Sequence, residues 1–179
     1  SALMAVLVSG VAMLTVAGSI RHVVQELPGR ETLYYSCILL VTAGLIGIAV
    51  TGDLFNLFVH LEVASLAAYA LVAAGGRGAP RAAMAYLIIG SVGASLYLLG
   101  VGFLYAATGT LNMADASRLL AAANPRLVMV GTLLIVTGLG IKMALFPLHV
   151  WMPAAYQLAP ASAAAFMAPL VTKVSAYAL

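Results

Sequence analysis

The chain has 179 residues, of which 64% are hydrophobic and 7% charged, with a formal net charge of +3. A soluble domain carries roughly 25% charged residues, so this composition excludes one and leaves a membrane protein. The small positive balance is the ordinary mark of loop arginines in a membrane protein and gives no basis for nucleic-acid binding.

About 20 apolar residues make one helical crossing. Uncharged runs cover residues 1–20, 32–52, 82–114, 127–141 and 143–172, and residues 54–76 add another interrupted only by His60 and Glu62. The expected crossings are about 2–20, 33–51, 54–74, 82–106, 127–158 with a break, and 162–179. A segment apolar on both faces does not line a barrel, so the fold class is all-α, a polytopic transmembrane helix bundle of about six crossings.

The first crossing has no basic region before it, and no initiator Met is present, so it is not read as a signal peptide. The last begins near Ser162 and reaches Leu179 without a cap or flanking loop. Both ends read as those of a chain cut from something longer. The expected linkers are RHVVQELPGRE (21–31), GGRGAPR (75–81) and a longer one at about 107–126 holding Asp115, Arg118 and Arg126. Arg21, Arg30, Arg77 and Arg81 follow crossings one and three, which makes that side the expected cytoplasmic one. In the fourth crossing, Gly93 and Gly100 lie seven residues apart on one face, a spacing that lets helices approach closely.

Three ionisable residues sit inside the apolar segments: Glu62, Lys142 and Lys173. Each costs roughly 2.5 to 3.5 kcal/mol at the bilayer centre on insertion scales, so three left unpaired cost on the order of 7 to 10 kcal/mol. Pairing, neutralisation or contact with internal water must offset that. Glu62 lies about nine residues into its crossing, roughly 13 Å from the start at 1.5 Å per residue, too deep to reach either surface. Ser65 and Tyr69 share its helical face. His60 belongs with Asn56 on the opposite face, either as a buried histidine bonded to a carbonyl or as a proton carrier.

Lys142 stands in VTGLGIKMALFPLHVW. Pro147 lacks an amide donor and would clash with the carbonyl of Met143, so the helix is expected to break beside the lysine. A break at membrane depth needs protein or water around it, and a buried cation beside unwound backbone points to an ion path. Past the break, Trp151 is expected as an interface anchor and His149 as a proton acceptor or a local cap. Lys173 lies about eleven residues into the last segment with Thr172 and Ser175 as polar neighbours. The sequence carries no phosphate loop, no Cys or His pair at metal spacing, no nucleophile elbow and no cofactor signature, and Cys37 is its single cysteine. No cofactor and no metal are expected.

The motifs TGDLFNLF with Glu62, GLGIKMALFPLHVWMP with Lys142 and LVTKVSAYAL with Lys173 resemble the antiporter-like subunits shared by respiratory complex I, membrane-bound hydrogenases and Mrp cation/proton antiporters. The resemblance covers nearly the whole chain, in the order and spacing of that family. It implies an integral protein of a prokaryotic cytoplasmic membrane, working with the other membrane subunits of a multi-subunit assembly, with protons and alternatively Na+ as cargo. In the family, fourteen helices include two inverted five-helix repeats, each with a broken helix. Residues 33–179 resemble the first repeat, truncated at its C-terminus, and residues 1–32 a preceding helix and loop. The resemblance carries the central glutamate to Glu62, the broken-helix lysine to Lys142, the connecting lysine to Lys173 and a frequent histidine to His149. After W-x-P this chain reads Pro153, Ala154, Ala155, Tyr156, where complex I members usually carry an acidic residue and a histidine. That stretch looks more like the Mrp D-type and hydrogenase branch.

The implied function is proton translocation by a Glu62–Lys142–Lys173 relay, with redox chemistry left to partners. The alternative is a structural or assembly subunit whose buried charges only specify packing. An acid and an amine at about 4 Å attract by about 4 kcal/mol at an effective dielectric near 20, and by roughly 2.4 kcal/mol at 7 Å. That difference exceeds a tenfold change in the equilibrium for releasing a proton.

Overall fold

A computed structural model describes residues 1–179 as eight helices: α1 (Ala2–Glu26), α2 (Glu31–Val50), α3 (Leu54–Ala73), α4 (Ala79–Thr108), α5 (Met113–Leu119), α6 (Pro125–Lys142), α7 (Met152–Leu158) and α8 (Ala161–Tyr177). There is no strand. Helices α1, α2, α3, α4 and α6 are each long and apolar enough to cross a membrane. The 17 residues of α8 extend about 25 Å at 1.5 Å per residue.

Local chemistry sets the ends. The first crossing runs past its expected limit because Arg21, Gln25 and Glu26 are good helix formers that let the hydrogen-bond ladder continue beyond the apolar run. Leu27, Pro28 and then Gly29, at φ +75°, stop it. Asp53 caps α3, its carboxylate accepting from the Asn56 amide at 2.7 Å. Gly109, left-handed at φ +73°, closes α4.

The stretch expected as a plain linker at about 107–126 holds a helix, α5. Asn112 accepts from the Ala114 and Asp115 amides. Asp115 stands in the first turn and Arg118 in the last, the order the helix dipole favours. This linker is tied back to the start of α3: Leu54 donates to Leu111 at 2.9 Å and Met113 to Gly52 at 2.9 Å. The TGDL turn is therefore held from outside its own helix.

Small residues fix the most extensive helix contact, that of α4 with α6. A Cβ on Gly138 would come within 2.5 Å of the Gly93 carbonyl oxygen, and one on Gly100 within 2.7 Å of the Gly131 carbonyl oxygen. Between α2 and α3 the His60 imidazole fills the notch over Gly47. His60 is thus packed against a neighbouring glycine, while Asn56 bonds Thr51 at 3.1 Å. The core runs along α2, α3 and α8, where Val41, Ala68, Phe166 and Val174 are fully enclosed. Leu3, Met13 and Leu14 on α1 and Met129 and Leu133 on α6 face outward.

Candidate functional site

Residues Glu62, Ser65 and Tyr69 occupy positions i, i+3 and i+7 of α3 and so share one face. That face meets the C-terminal end of α6. The Lys142 ammonium donates to Glu62 Oε1 at 2.9 Å, to Ser65 Oγ at 2.8 Å and, at the long limit, to the Tyr69 hydroxyl at 3.5 Å. An ammonium has three donors, and here each has an acceptor from the same helix. The Lys142 side chain is 5% exposed and that of Glu62 25%. The acid thus keeps an open edge that the amine lacks.

The lysine is delivered by the way α6 ends. The Leu145 amide donates to the Gly140 carbonyl at 2.8 Å and the Ala144 amide to the Ile141 carbonyl at 3.2 Å. Together with Ala144 in the left-handed region at φ +56°, this is a Schellman closure with alanine where glycine is usual. The helix therefore stops on the lysine by its own terminal hydrogen bonds. Pro147 lies beyond the closure, where it prevents the helix from resuming. Residues 143–151 form an irregular connector before α7.

Trp151 differs from its expected role. Its side chain is buried, with Nε1 donating to the Ile141 carbonyl at 3.0 Å. Its ring lies flat on Tyr86, centroids 4.0 Å apart and planes 2° apart. An interface anchor needs a wet edge; this indole finds its partner in the broken backbone instead. Tyr86 in turn meets Tyr69 edge-on at 4.5 Å. Sequence reasoning missed Tyr86, whose only hint is a large aromatic four residues before Gly90 in a helix rich in small residues.

The structure brings Glu62 and Lys142 together but not the other two predicted residues. Lys173 is exposed on α8, its Nζ donating to the Ala168 carbonyl at 2.9 Å and to Thr172 Oγ1 at 3.1 Å. His149 sits in the connector beside Phe146, ring centroids 5.6 Å apart, with Nδ1 buried and without a hydrogen-bond partner. Chemically, the paired site can hold one proton on an amine between two apolar helices.

A family model described as "NADH:quinone oxidoreductase/Mrp antiporter, TM" matches residues 51–179. The chain is 54% identical over 171 residues to the N-type subunit of the NADH-quinone oxidoreductase of Desulforudis audaxviator, covering 95% of this chain and 34% of that protein. It is 39% identical over 152 residues to the D-type subunit of the Na(+)/H(+) antiporter of Bacillus subtilis, covering 84% and 31%. Among solved structures it superposes on a chain of the membrane-bound sulfane sulfur reductase, an archaeal respiratory membrane complex, with a TM-score of 0.93 at 39% identity, over 99% of this chain and 36% of that one. A chain of the Mrp complex from a Dietzia species gives 0.82 at 32% identity, over 98% and 33%. The chain therefore spans about a third of the length of the proteins it matches. These names fall on both the complex I and the Mrp side of the family.

Proposed function

Since the chain belongs to the NADH:quinone oxidoreductase/Mrp antiporter family of integral membrane proteins, we propose that residues 33–179 are a proton-translocating half-channel. It works as part of a longer subunit in a multi-subunit assembly of a prokaryotic cytoplasmic membrane. Relatives named as subunits of NADH-quinone oxidoreductase and of Na(+)/H(+) antiporters support this reading. The observation that carries it is the Glu62–Lys142 pair at 2.9 Å, its lysine buried and its acid partly open, on one side a regular helix and on the other a helix that ends at the lysine.

At 2.9 Å and an effective dielectric near 20 the attraction is about 5.7 kcal/mol, falling to roughly 2.4 kcal/mol at 7 Å. Withdrawing Glu62 by a few ångströms therefore weakens the hold on the ammonium by about 3 kcal/mol, roughly two orders of magnitude in a proton equilibrium. Lys142 loads a proton while paired and yields it when Glu62 recedes. Lys173 receives it through internal water and passes it to a second unit against the exposed face of α8, with His149 as an additional station. Movement of a neighbouring subunit against α3 drives the cycle. Protons are the primary cargo, and Na+ exchange would be coupled to them.

A structural or assembly role is the second reading, because a lysine with all three donors accepted is also what a purely structural pair looks like. Glu62→Gln and Lys142→Ala in the full assembly, reconstituted in vesicles, separate the two. Each should nearly abolish proton transport while subunits still co-purify. Parental transport in either variant would refute the relay.

A further inference from the structure

We infer that Trp151 and Tyr86 are positioning residues that set where the Lys142 ammonium sits, acting through Tyr69; this rests on the translocation reading above. The contacts form a closed circuit. Lys142 is bonded to Ile141, whose carbonyl accepts the Trp151 indole N–H at 3.0 Å. The indole lies flat on Tyr86, Tyr86 abuts Tyr69, and the Tyr69 hydroxyl returns to Lys142 Nζ at 3.5 Å. Four elements contribute: the end of α6, the connector, α4 and α3. Gly90 completes it from behind, since a Cβ there would run into the Tyr69 hydroxyl.

The circuit joins the irregular connector to the ion pair by stiff parts. Aromatic rings have two rotatable bonds each and pack at preferred separations, so the three rings couple the connector to the Tyr69 hydroxyl. The carbonyl held by Trp151 belongs to the residue next to the lysine, in the last turn of α6, and it also accepts the Ala144 amide that closes the helix. Any shift of the connector thus acts on Lys142 twice, through the backbone at Ile141 and through the acceptor at Tyr69. Tyr156 of α7 packs edge-on against Trp151, ring centroids 6.2 Å apart, and brings the far half of the broken helix into contact with the same ring.

The test uses the full assembly in proteoliposomes and reads the proton concentration giving half-maximal transport separately from the maximal rate. The titratable side chains around the ammonium and its aromatic support are Glu62 and Tyr69 of α3, Tyr86 of α4 and Tyr156 of α7. Replacing Trp151 removes none of them. Trp151→Leu should shift half-saturation by about two- to tenfold, the range carried by one aromatic contact. Trp151→Phe, which keeps a flat ring on Tyr86, should recover most of that shift. Gly90→Ala crowds the Tyr69 hydroxyl without touching the indole, so it carries the test if Trp151→Leu fails to assemble, and it should shift half-saturation as well. Parental half-saturation in the assembled variants, with only the maximal rate falling in step with the amount of complex, would overturn the inference. Because Lys142→Ala is run beside them, transport surviving in that variant refutes the relay itself, whereas transport lost there with parental half-saturation here refutes only the positioning role.

Discussion

Removing both charges of the central pair is more telling than removing either. Glu62→Gln leaves a buried ammonium without its counter-charge, and Lys142→Met leaves a carboxylate facing Ser65 and Tyr69 alone. Breaking a buried pair by deleting one partner costs about 3 to 5 kcal/mol, whereas replacing both by neutral groups of similar volume is often near neutral. The pair at 2.9 Å carries a gross attraction of about 5.7 kcal/mol at an effective dielectric near 20, in keeping with a single-variant loss at the upper end of that range. The double variant Glu62→Gln/Lys142→Met should therefore recover most of the stability that each single variant loses, with a coupling energy of at least about 3 kcal/mol. Denaturation of the purified parent and variant assemblies in detergent measures stability and coupling, and proton flux in vesicles measures transport. The relay requires stability to return and flux to remain absent. A double variant that regains flux along with stability would show that the charges only serve packing, and the reasoning would fail.

Lys142→Arg should still assemble, at a cost of about 1 to 3 kcal/mol for the bulkier group in a closed site, yet lose transport, because guanidinium does not give up its proton; flux and thermal melts measure both. Gly138→Ala places a Cβ against the backbone of α4 and should cost about 1 to 3 kcal/mol in denaturation, while Gly10→Ala, with nothing within 4 Å of its Cβ position, should be neutral or stabilise α1 by up to about 1 kcal/mol. Ala144→Gly relieves a left-handed alanine at φ +56° and should stabilise by up to about 1 kcal/mol in the same measurement.

Much of the central site was legible in the residues because its acceptors lie on one helix. Glu62, Ser65 and Tyr69 follow the i, i+3, i+7 rule, and a charge so deep in an apolar segment demands a partner, for which Lys142 and Lys173 were the candidates. The helix end at Lys142 was also readable from Pro147, although the terminal bonds that make it belong to Gly140, Ile141, Ala144 and Leu145. What stayed hidden depends on residues far apart in the chain. Trp151 looked like an anchor because nothing local shows that Tyr86 waits for it in another helix. The extension of α1 through Glu26 escaped a reading based on apolarity, since polar helix formers continue a ladder that hydrophobicity no longer marks. Helix α5 was missed for a similar reason: its signal is the cap at Asn112, inside a stretch that otherwise reads as a linker.

All three oxygens around the Lys142 ammonium belong to α3, and the first turn of that helix is pinned through Gly52 and Leu54 to the segment ahead of α5. A single rigid rod thus carries the whole cradle. If α3 slides as the proposed cycle requires, every oxygen withdraws at once, so that cycle would release the amine in one step rather than by graded loosening.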